Sequence, residues 1–186
     1  MRSRSVTNVS WDLLDAPVIH GRGEDPFLEA AAGRTWTHAR LLEEVAALGG
    51  LLHHLGVGPG VPVVVDLAED HAVEAVVAAL ATARVGGVVR TDEDPAAPVA
   101  VVSGGTDAAP DGRTRLVRTR EGEVAVEPDL DWSVMLRAGR TDPAACQVLE
   151  PGAAYSPTRS VVEQAEALAA EPAPYAPEAL RRLLQV

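Results

Sequence analysis

Residues 33–87 read GRTWTHARLLEEVAALGGLLHHLGVGPGVPVVVDLAEDHAVEAVVAALATARVGG, and this stretch decides the fold. It predicts a helix that begins at Thr37, whose hydroxyl can accept a hydrogen bond from a free backbone N–H of the first turn. Apolar residues then recur at helical spacing; they are Leu41, Leu42, Val45, Leu48, Leu52 and Leu55. The helix is predicted to end within residues 56–60, because glycine tolerates the left-handed conformation and Pro59 lacks the N–H that a helix needs.

A buried strand, a second helix and a second strand complete the stretch. The valine run at residues 61–67 is typical of a strand that is covered on both faces in a parallel sheet. We expect Asp70 to cap the next helix, and the Gly86–Gly87 pair to release the chain into a strand at residues 88–91. The order strand, helix, strand predicts a right-handed β-α-β crossover.

The same stretch resembles the start of the AMP-forming adenylating superfamily, which includes acyl-CoA synthetases, luciferases and the adenylation domains of nonribosomal peptide synthetases. That family opens with G-R-x-x-T-Y-x-x-L, continues with L-G-V-x-x-G-D-x-V, and ends its second helix with A-G-A-V. The matching residues are Gly33, Arg34, Thr37, Leu41 and segments 55–60, 63–67 and 86–89. Trp36 and His38 stand near the family's Thr and Tyr, and Val61-Pro62 replaces its usual Asp.

The resemblance implies a fold class and an ancestry, because it contains no catalytic residue. It implies an α/β domain with a parallel sheet in three layers, similar to the N-terminal subdomain of acyl-CoA synthetases, with a small hairpin at the edge. We expect residues 1–170 to form this single domain and residues 171–186 to form a hinge and a final helix. The chain also resembles small truncated actinobacterial relatives of unassigned activity.

Composition narrows the classes of partner. The formal charge of −11 disfavours nucleic acid and anionic lipid, because both are bound through basic side chains. No apolar run reaches membrane-spanning length, and the first residues lack the apolar core of a signal peptide, so we expect a cytoplasmic protein. The single cysteine, Cys146, excludes an internal disulfide. A protein partner or a homo-oligomer stays open.

The chain contains no lysine, since all 16 of its basic residues are arginine. Codon usage in a GC-rich genome accounts for such a bias without any functional reason. Whatever its cause, it excludes a Schiff base, a phosphate-loop lysine and a catalytic lysine within these residues.

Further strands and helices are predicted around the central stretch. Trp11, Leu13 and Leu14 predict a short helix, and residues 26–32 predict a strand that pairs with residues 35–37. A third valine-rich strand is expected at residues 99–102, with too few residues before it for the helix that full-length relatives place there. Residues 113–120 and 124–126 predict an edge hairpin that turns at Glu121-Gly122, and residues 129–138 predict a helix.

Two segments compete for the position of the family's phosphate loop, T-S-G-T-T-G-x-P-K-G. The first follows a strand and supplies the candidate cofactor-binding residues Ser103, Gly104, Gly105 and Thr106, whose N–H and hydroxyl groups could cradle phosphate. Asp111 stands where the family has lysine, and an ordinary turn is the simpler interpretation. The second follows Asp142-Pro143, with a predicted strand at 146–149, a loop at 150–158 and a helix at 159–170. It keeps the family's order of elements without its chemistry.

Few residues are candidates for other chemistry. Asp66 ends the central strand at its carboxyl edge, where α/β folds place ligands, and is the best single candidate for a ligand crevice. His20, His38, His53, His54 and His71 lack metal-site spacing, and Cys146 has no neighbouring base in the sequence. We therefore predict no metal site and no catalytic residue.

The leading hypothesis is a non-catalytic remnant of an AMP-dependent synthetase that binds a protein partner or a small ligand. It requires no cofactor. The first alternative is an acyl- or aminoacyl-activating subunit, or a nucleotide-binding subunit, completed by a partner chain; only this alternative calls for ATP or AMP. A third hypothesis is one half of a hydrolase with an unrecognised site.

Overall fold

Five parallel strands form the central sheet of the computed structural model, which describes residues 7–30, 33–104, 112–120, 123, 125–171 and 173–186. The strands are β3 (Pro62–Asp66), β4 (Val88–Arg90), β5 (Val99–Ser103), β6 (Thr114–Arg118) and β7 (Leu130–Asp131). Their order in the sheet is β4-β3-β5-β6-β7. The fold class predicted from the sequence, an α/β parallel-sheet domain with a small hairpin, is confirmed.

Alternating residues of the sheet face two different clusters of apolar side chains, as the period of two in a strand requires. Val63 and Val65 of β3 belong to the main core together with the buried faces of the helices. Val64 belongs to a smaller cluster on the opposite face, with Ala97 and Ala100. Ala97 lies in the turn between β4 and β5, where, as expected, the described chain forms no helix.

Six α-helices accompany the sheet in the described residues. They are α1 (Ala16–Ile19), α2 (His38–His54), α3 (Ala72–Arg84), α4 (Trp132–Gly139), α5 (Val161–Ala169) and α6 (Pro177–Leu183). A π-helical turn at Trp11–Asp15 precedes α1. Helix α2 begins as predicted, because the Thr37 hydroxyl accepts the Arg40 N–H at 3.3 Å.

Helix α2 is buried far more completely than one apolar stripe predicts, because glycines let its neighbours approach closely. A Cβ at Gly50 would lie 2.0 Å from the carbonyl oxygen of Asp142, and one at Gly139 of α4 would lie 2.2 Å from the carbonyl oxygen of Ala47. These glycines therefore set the distance between α2, α4 and the segment that follows α4.

Two antiparallel hairpins flank the sheet. Strand β1 (Pro26–Ala30) pairs with β2 (Arg34–Thr37), which confirms the predicted pairing across the Gly33 turn. Strand β8 (Ala154–Ser156) pairs with β9 (Arg159–Ser160) just before α5. Helix α5 begins with a reciprocal cap, in which Ser160 and Glu163 bond each other's backbone N–H.

Three local predictions are wrong. Asp70 does not cap α3, because a 3₁₀ turn at Glu69–His71 comes first and His71 occupies the cap position without a side-chain bond. Strand β6 is not half of a hairpin; it lies inside the sheet, parallel to both β5 and β7. Residues 146–149 form no strand, and their backbone bonds instead run to Arg84 and Thr7.

A buried ion pair fixes the N-terminal segment to α3. The Arg84 guanidinium, 6% exposed, donates to both carboxylate oxygens of Asp15 at 2.7 and 3.0 Å. Its Nε also donates to the Ala144 carbonyl at 2.7 Å. Asn8, fully buried, adds side-chain bonds to the carbonyls of Ala83 and Gln147.

The segment predicted as a hinge is bonded to the first hairpin. Tyr175 is buried; its N–H donates to the Phe27 carbonyl and its carbonyl accepts from Glu29, both at 2.9 Å. Helix α6 then packs on α3 and β1. Its Arg181 donates to the carbonyls of Leu67 and Ala68, which directly follow β3.

Candidate functional site

A groove of about 800 Å³ lies at the carboxyl edge of the parallel sheet. The turn after β3, the end of β6 and the start of α4 directly after β7 all contribute to it. Carboxyl edges of parallel strands are where ligands bind in open α/β sheets. The location therefore makes this groove the candidate functional site, and its size falls in the range of small-molecule sites.

The groove has an apolar floor and charged walls. Val73 and Val77 of α3 and Trp132 and Leu136 of α4 line it with apolar surface. The wall at the start of α3 carries Glu69, Asp70 and Glu74, and Glu178 joins it from α6. Arg137 of α4 and Arg140 directly after it also line the groove, and strand β2 adds Arg34 and Trp36.

Two ion pairs hold the walls in place. Arg118 at the end of β6 donates to Glu74 of α3 at 2.9 Å, and both side chains are mostly buried. Arg140, which directly follows α4, donates to Glu44 of α2 at 2.6 Å. Each pair joins two elements that are far apart in sequence, so both constrain the width of the groove.

Trp36 completes the end of the groove near α2. Its ring is covered by Arg40, whose guanidinium carbon lies 4.3 Å from the ring centroid. The indole N–H of Trp36 is buried and has no hydrogen-bond partner among the described residues, and the same holds for the second carboxylate oxygen of Glu44. Unsatisfied buried polar atoms cost free energy, and here both belong to residues that line the groove, although the two atoms themselves are closed off from it.

His71, Asp70 and Ser103 meet at the same edge without forming a catalytic triad. His71 Nδ1 lies 3.3 Å from both the Ser103 hydroxyl and the Asp70 carboxylate. In a triad the two partners engage opposite ring nitrogens, so that the acid orients the base toward the nucleophile. Ser103 Oγ also accepts the Ala68 N–H at 2.7 Å, so the hydroxyl braces the turn after β3. The hydrolase hypothesis gains nothing from this geometry.

The first half of the predicted phosphate loop has its donors engaged. The Gly104 N–H donates to the Arg118 carbonyl at 2.9 Å, and Ser103 has the partners just described. A carboxylate oxygen of Glu123 would lie 3.6 Å from a Cβ at Gly104, which places negative charge beside this backbone. Gly105 and Thr106 lie outside the described residues. Phosphate binding by these four residues remains a prediction.

The other predicted residues lie outside the groove lining. Asp66 is exposed at the end of β3, on the side of the sheet that carries Val64, and its role in a crevice stays a prediction. Burial raises the pKa of the Cys146 thiol to about 12, which leaves little thiolate at neutral pH. His54 lies on the surface 3.6 Å from Asp142.

His38 has a structural position next to the first hairpin. Its Nδ1 bonds the Leu13 carbonyl at 2.8 Å, and its ring packs against Phe27 with centroids 4.8 Å apart. Burial, as the largest effect, lowers its pKa, so the neutral ring is the form that holds the N-terminal turn. Over the described ranges, no cluster of three or more His, Cys, Asp or Glu could hold a metal ion.

The groove brings together residues that the sequence did not single out. From the sequence, Trp36 is only a substitution in a family motif, and Trp132 is only part of the helix predicted at residues 129–138. Arg137 and Arg140 are spaced by three, at the end of α4 and directly after it, which could have indicated one basic helix face.

None of the helices that the structure describes is both long enough and apolar enough to traverse a bilayer.

Comparison with solved structures finds the same fold in adenylate-forming enzymes. The acetoacetyl-CoA synthetase of Streptomyces lividans superposes with a TM-score of 0.63 at 23% identity, covering 80% of this chain and 27% of that one. The Brucella canis acyl-CoA synthetase gives 0.62 at 17% identity, covering 80% and 30%. Rhodopseudomonas palustris MatB gives 0.59 at 19% identity, covering 82% and 32%.

These likenesses concern the fold, and the resemblance predicted from the motifs is confirmed at that level. The chain spans about three tenths of the length of the solved structures it matches. No protein-family model and no curated protein sequence matches the chain.

Proposed function

We propose that this protein is a non-catalytic relative of the adenylate-forming enzymes that binds a small ligand in the groove at the carboxyl edge of its sheet. The observation that carries the proposal is the groove itself. It is lined by strands β2 and β6, by helices α2, α3, α4 and α6 and by the turn after β3, and the lining includes charged groups of both signs. The cytoplasmic location and actinobacterial origin expected from the sequence remain part of the proposal.

Loss of adenylation chemistry is supported by the side chains that are present. The 186 residues include no lysine to stabilise a transferred phosphate. The described part of the predicted phosphate loop uses its N–H and hydroxyl groups internally. A polyphosphate in the groove would also meet five carboxylates, those of Glu44, Glu69, Asp70, Glu74 and Glu178. No ATP or AMP is therefore required for the proposed activity.

Pyrophosphate exchange tests the proposal. The purified protein is incubated with ATP, labelled pyrophosphate and a panel of carboxylic and amino acids, with an active acyl-CoA synthetase as positive control. We expect no exchange above background, and thermal-shift assays with ATP, AMP and CoA should leave the melting temperature unchanged. Exchange by the protein alone would contradict the proposal.

A second candidate is a subunit completed in trans, favoured by the limited length that the chain shares with the matched structures. In that case the exchange reaction should appear only when a copurifying polypeptide is added back. Exchange restored by such a partner would replace the first proposal with this one.

A further inference from the structure

We propose that the ligand of the groove is a short apolar peptide with a free amino terminus and a free carboxylate. The inference rests on the proposed function, because it names the ligand class of the same groove. It follows from the unpaired charges of both signs in the lining, the apolar residues among them and the volume.

The walls carry charges of both signs that the fold itself does not pair. Arg118 and Arg140 are neutralised by Glu74 and Glu44. Among the described residues, Arg34 and Arg137 have no ion-pair or hydrogen-bond partner for their guanidinium groups. The carboxylates of Glu69 and Glu178 likewise have none, so at least two charges of each sign line the groove without a protein partner.

Because the lining carries charges of both signs, it disfavours ligands whose charges all have the same sign. The lining holds four arginines and five carboxylates, so neither a polyanion nor a polycation can approach without facing groups of its own charge. A zwitterion satisfies both walls at once, with its carboxylate on a guanidinium and its ammonium on a carboxylate. Charge-assisted hydrogen bonds of this kind are the strong ones in proteins.

The floor and the size favour a peptide over a single amino acid. Val73, Val77 and Leu136 offer apolar surface between the charged walls, and Trp132 extends it. The volume of about 800 Å³ lies in the range that encloses drug-sized ligands. An extended peptide advances about 3.3–3.6 Å per residue, so a few residues separate the two terminal charges by roughly 10 Å.

Polar groups in the lining can serve the backbone of such a peptide. Ser133 places a hydroxyl in the lining at the start of α4. Among the residues that the structure describes, His71 has polar partners only at Nδ1, so its Nε2 is unpaired on a residue that lines the groove. Amides buried on binding need such partners, because an unsatisfied group costs free energy.

Titration with three matched peptides tests the proposal. Trileucine, N-acetyl-trileucine and trileucine amide are added to the full chain, with isothermal calorimetry as the measurement and fluorescence of the groove tryptophans as a second readout. We expect trileucine to bind and each capped peptide to bind about tenfold more weakly, because each has lost one charged terminus. Equal binding of all three peptides, or no binding of trileucine, would overturn the proposal.

Two variants assign the termini to the walls. Arg137→Gln should weaken trileucine binding by about tenfold and leave the affinity for trileucine amide unchanged, because the amide has no carboxylate to lose. Glu69→Gln should likewise weaken trileucine binding by about tenfold and leave the affinity for N-acetyl-trileucine unchanged, because the acetylated peptide has no charged amino terminus to lose. Arg182→Gln and Glu43→Gln are the matched controls, since both residues are exposed and lie outside the groove lining. Variants that weaken capped and free peptides equally would contradict the assignment.

Failure of this inference is distinguishable from failure of the proposed function. A protein that binds no peptide and shows no pyrophosphate exchange would overturn the ligand class alone. A protein that exchanges pyrophosphate would overturn the non-catalytic proposal, whatever the peptide titrations give.

Discussion

At the scale of single residues, buried polar side chains stabilise this protein through long-range hydrogen bonds. His38 is the clearest case, because it is 6% exposed and bonds the Leu13 carbonyl across 25 residues of sequence. Arg84 and Asp15 form a comparable tether through a bidentate pair. Both tethers join the N-terminal segment to the core, so the first turns of the chain depend on side chains that follow much later.

The lowered pKa of His38 predicts a pH dependence of stability. The unfolded chain takes up a proton near the ordinary histidine pKa of about 6.5, whereas the folded protein does so only at lower pH. The unfolded state therefore binds more protons below about pH 6.5, and the free energy of unfolding falls as the pH is lowered.

Urea unfolding between pH 7.5 and 5 measures this effect. His38→Asn places an amide nitrogen where His38 has Nδ1, so it can still donate to the Leu13 carbonyl, and it removes the titration. The stability of this variant should therefore depend less on pH than that of the natural protein. The free energies of unfolding of the two proteins should converge as the pH is lowered. Identical slopes in both proteins would show that other groups produce the pH dependence.

At the scale of elements, close helix packing depends on glycine. Gly50→Ala should favour helix formation by up to about 1 kcal/mol from propensity alone. The added Cβ, however, would lie 2.0 Å from the Asp142 carbonyl oxygen, a distance that no side-chain adjustment relieves. We expect a net loss of about 1–3 kcal/mol in the free energy of unfolding, as for other overpacked sites.

Gly58→Ala is the matched control for this prediction. A Cβ at Gly58 has nothing within 4 Å, and its φ is not in the left-handed region. Its unfolding free energy should change by no more than about 0.5 kcal/mol. A Gly50→Ala variant as stable as Gly58→Ala would contradict the proposed contact between α2 and the segment after α4.

The elements were predictable where local signals agreed. The Thr37 cap, the valine run of β3 and the glycines after α2 all point to the same helix–strand order, and the structure has it. The prediction was wrong for β6, whose alternating arginines indicate an edge strand. Arg115 is in fact buried, with its guanidinium 3.5 Å from the Asp129 carboxylate, and a long-range partner of this kind leaves no local pattern.

The groove was less predictable than the fold. The sequence pointed through Asp66 to the carboxyl edge of the sheet, where the candidate groove lies, but the lining of the groove comes from β2, β6, α2, α3, α4, α6 and the turn after β3. Trp36 and Arg137 are about a hundred residues apart, and only the helix packing brings them to one surface. Motif reading cannot supply that relation, because it depends on glycine contacts such as Gly139 against Ala47.

At the scale of the whole molecule, the described chain behaves as one connected core. Tyr155 donates to the Leu184 carbonyl at 2.9 Å, and α6 packs on α3, so the last elements share the main apolar cluster. This predicts a single unfolding transition, even for the segment expected to be a hinge.

This prediction is checked by comparing the urea unfolding midpoints that two probes report. Tryptophan fluorescence reports on Trp11, Trp36 and Trp132, whereas hydrogen exchange of residues 155–184 reports on the later elements. Both should give the same midpoint in urea. Earlier loss of protection in residues 155–184 would instead support an independent terminal unit.

The hydrogen bonds from Arg181 to the carbonyls after β3 have a consequence for folding during synthesis. The central strand leaves the ribosome long before the helix that covers its carboxyl end, because 114 positions separate Leu67 from Arg181. Until that helix emerges, the nascent chain exposes the turn and one wall of the groove. Ribosome-bound chains that stop before residue 177 should therefore be digested by protease after Leu67, and released full-length chains should resist.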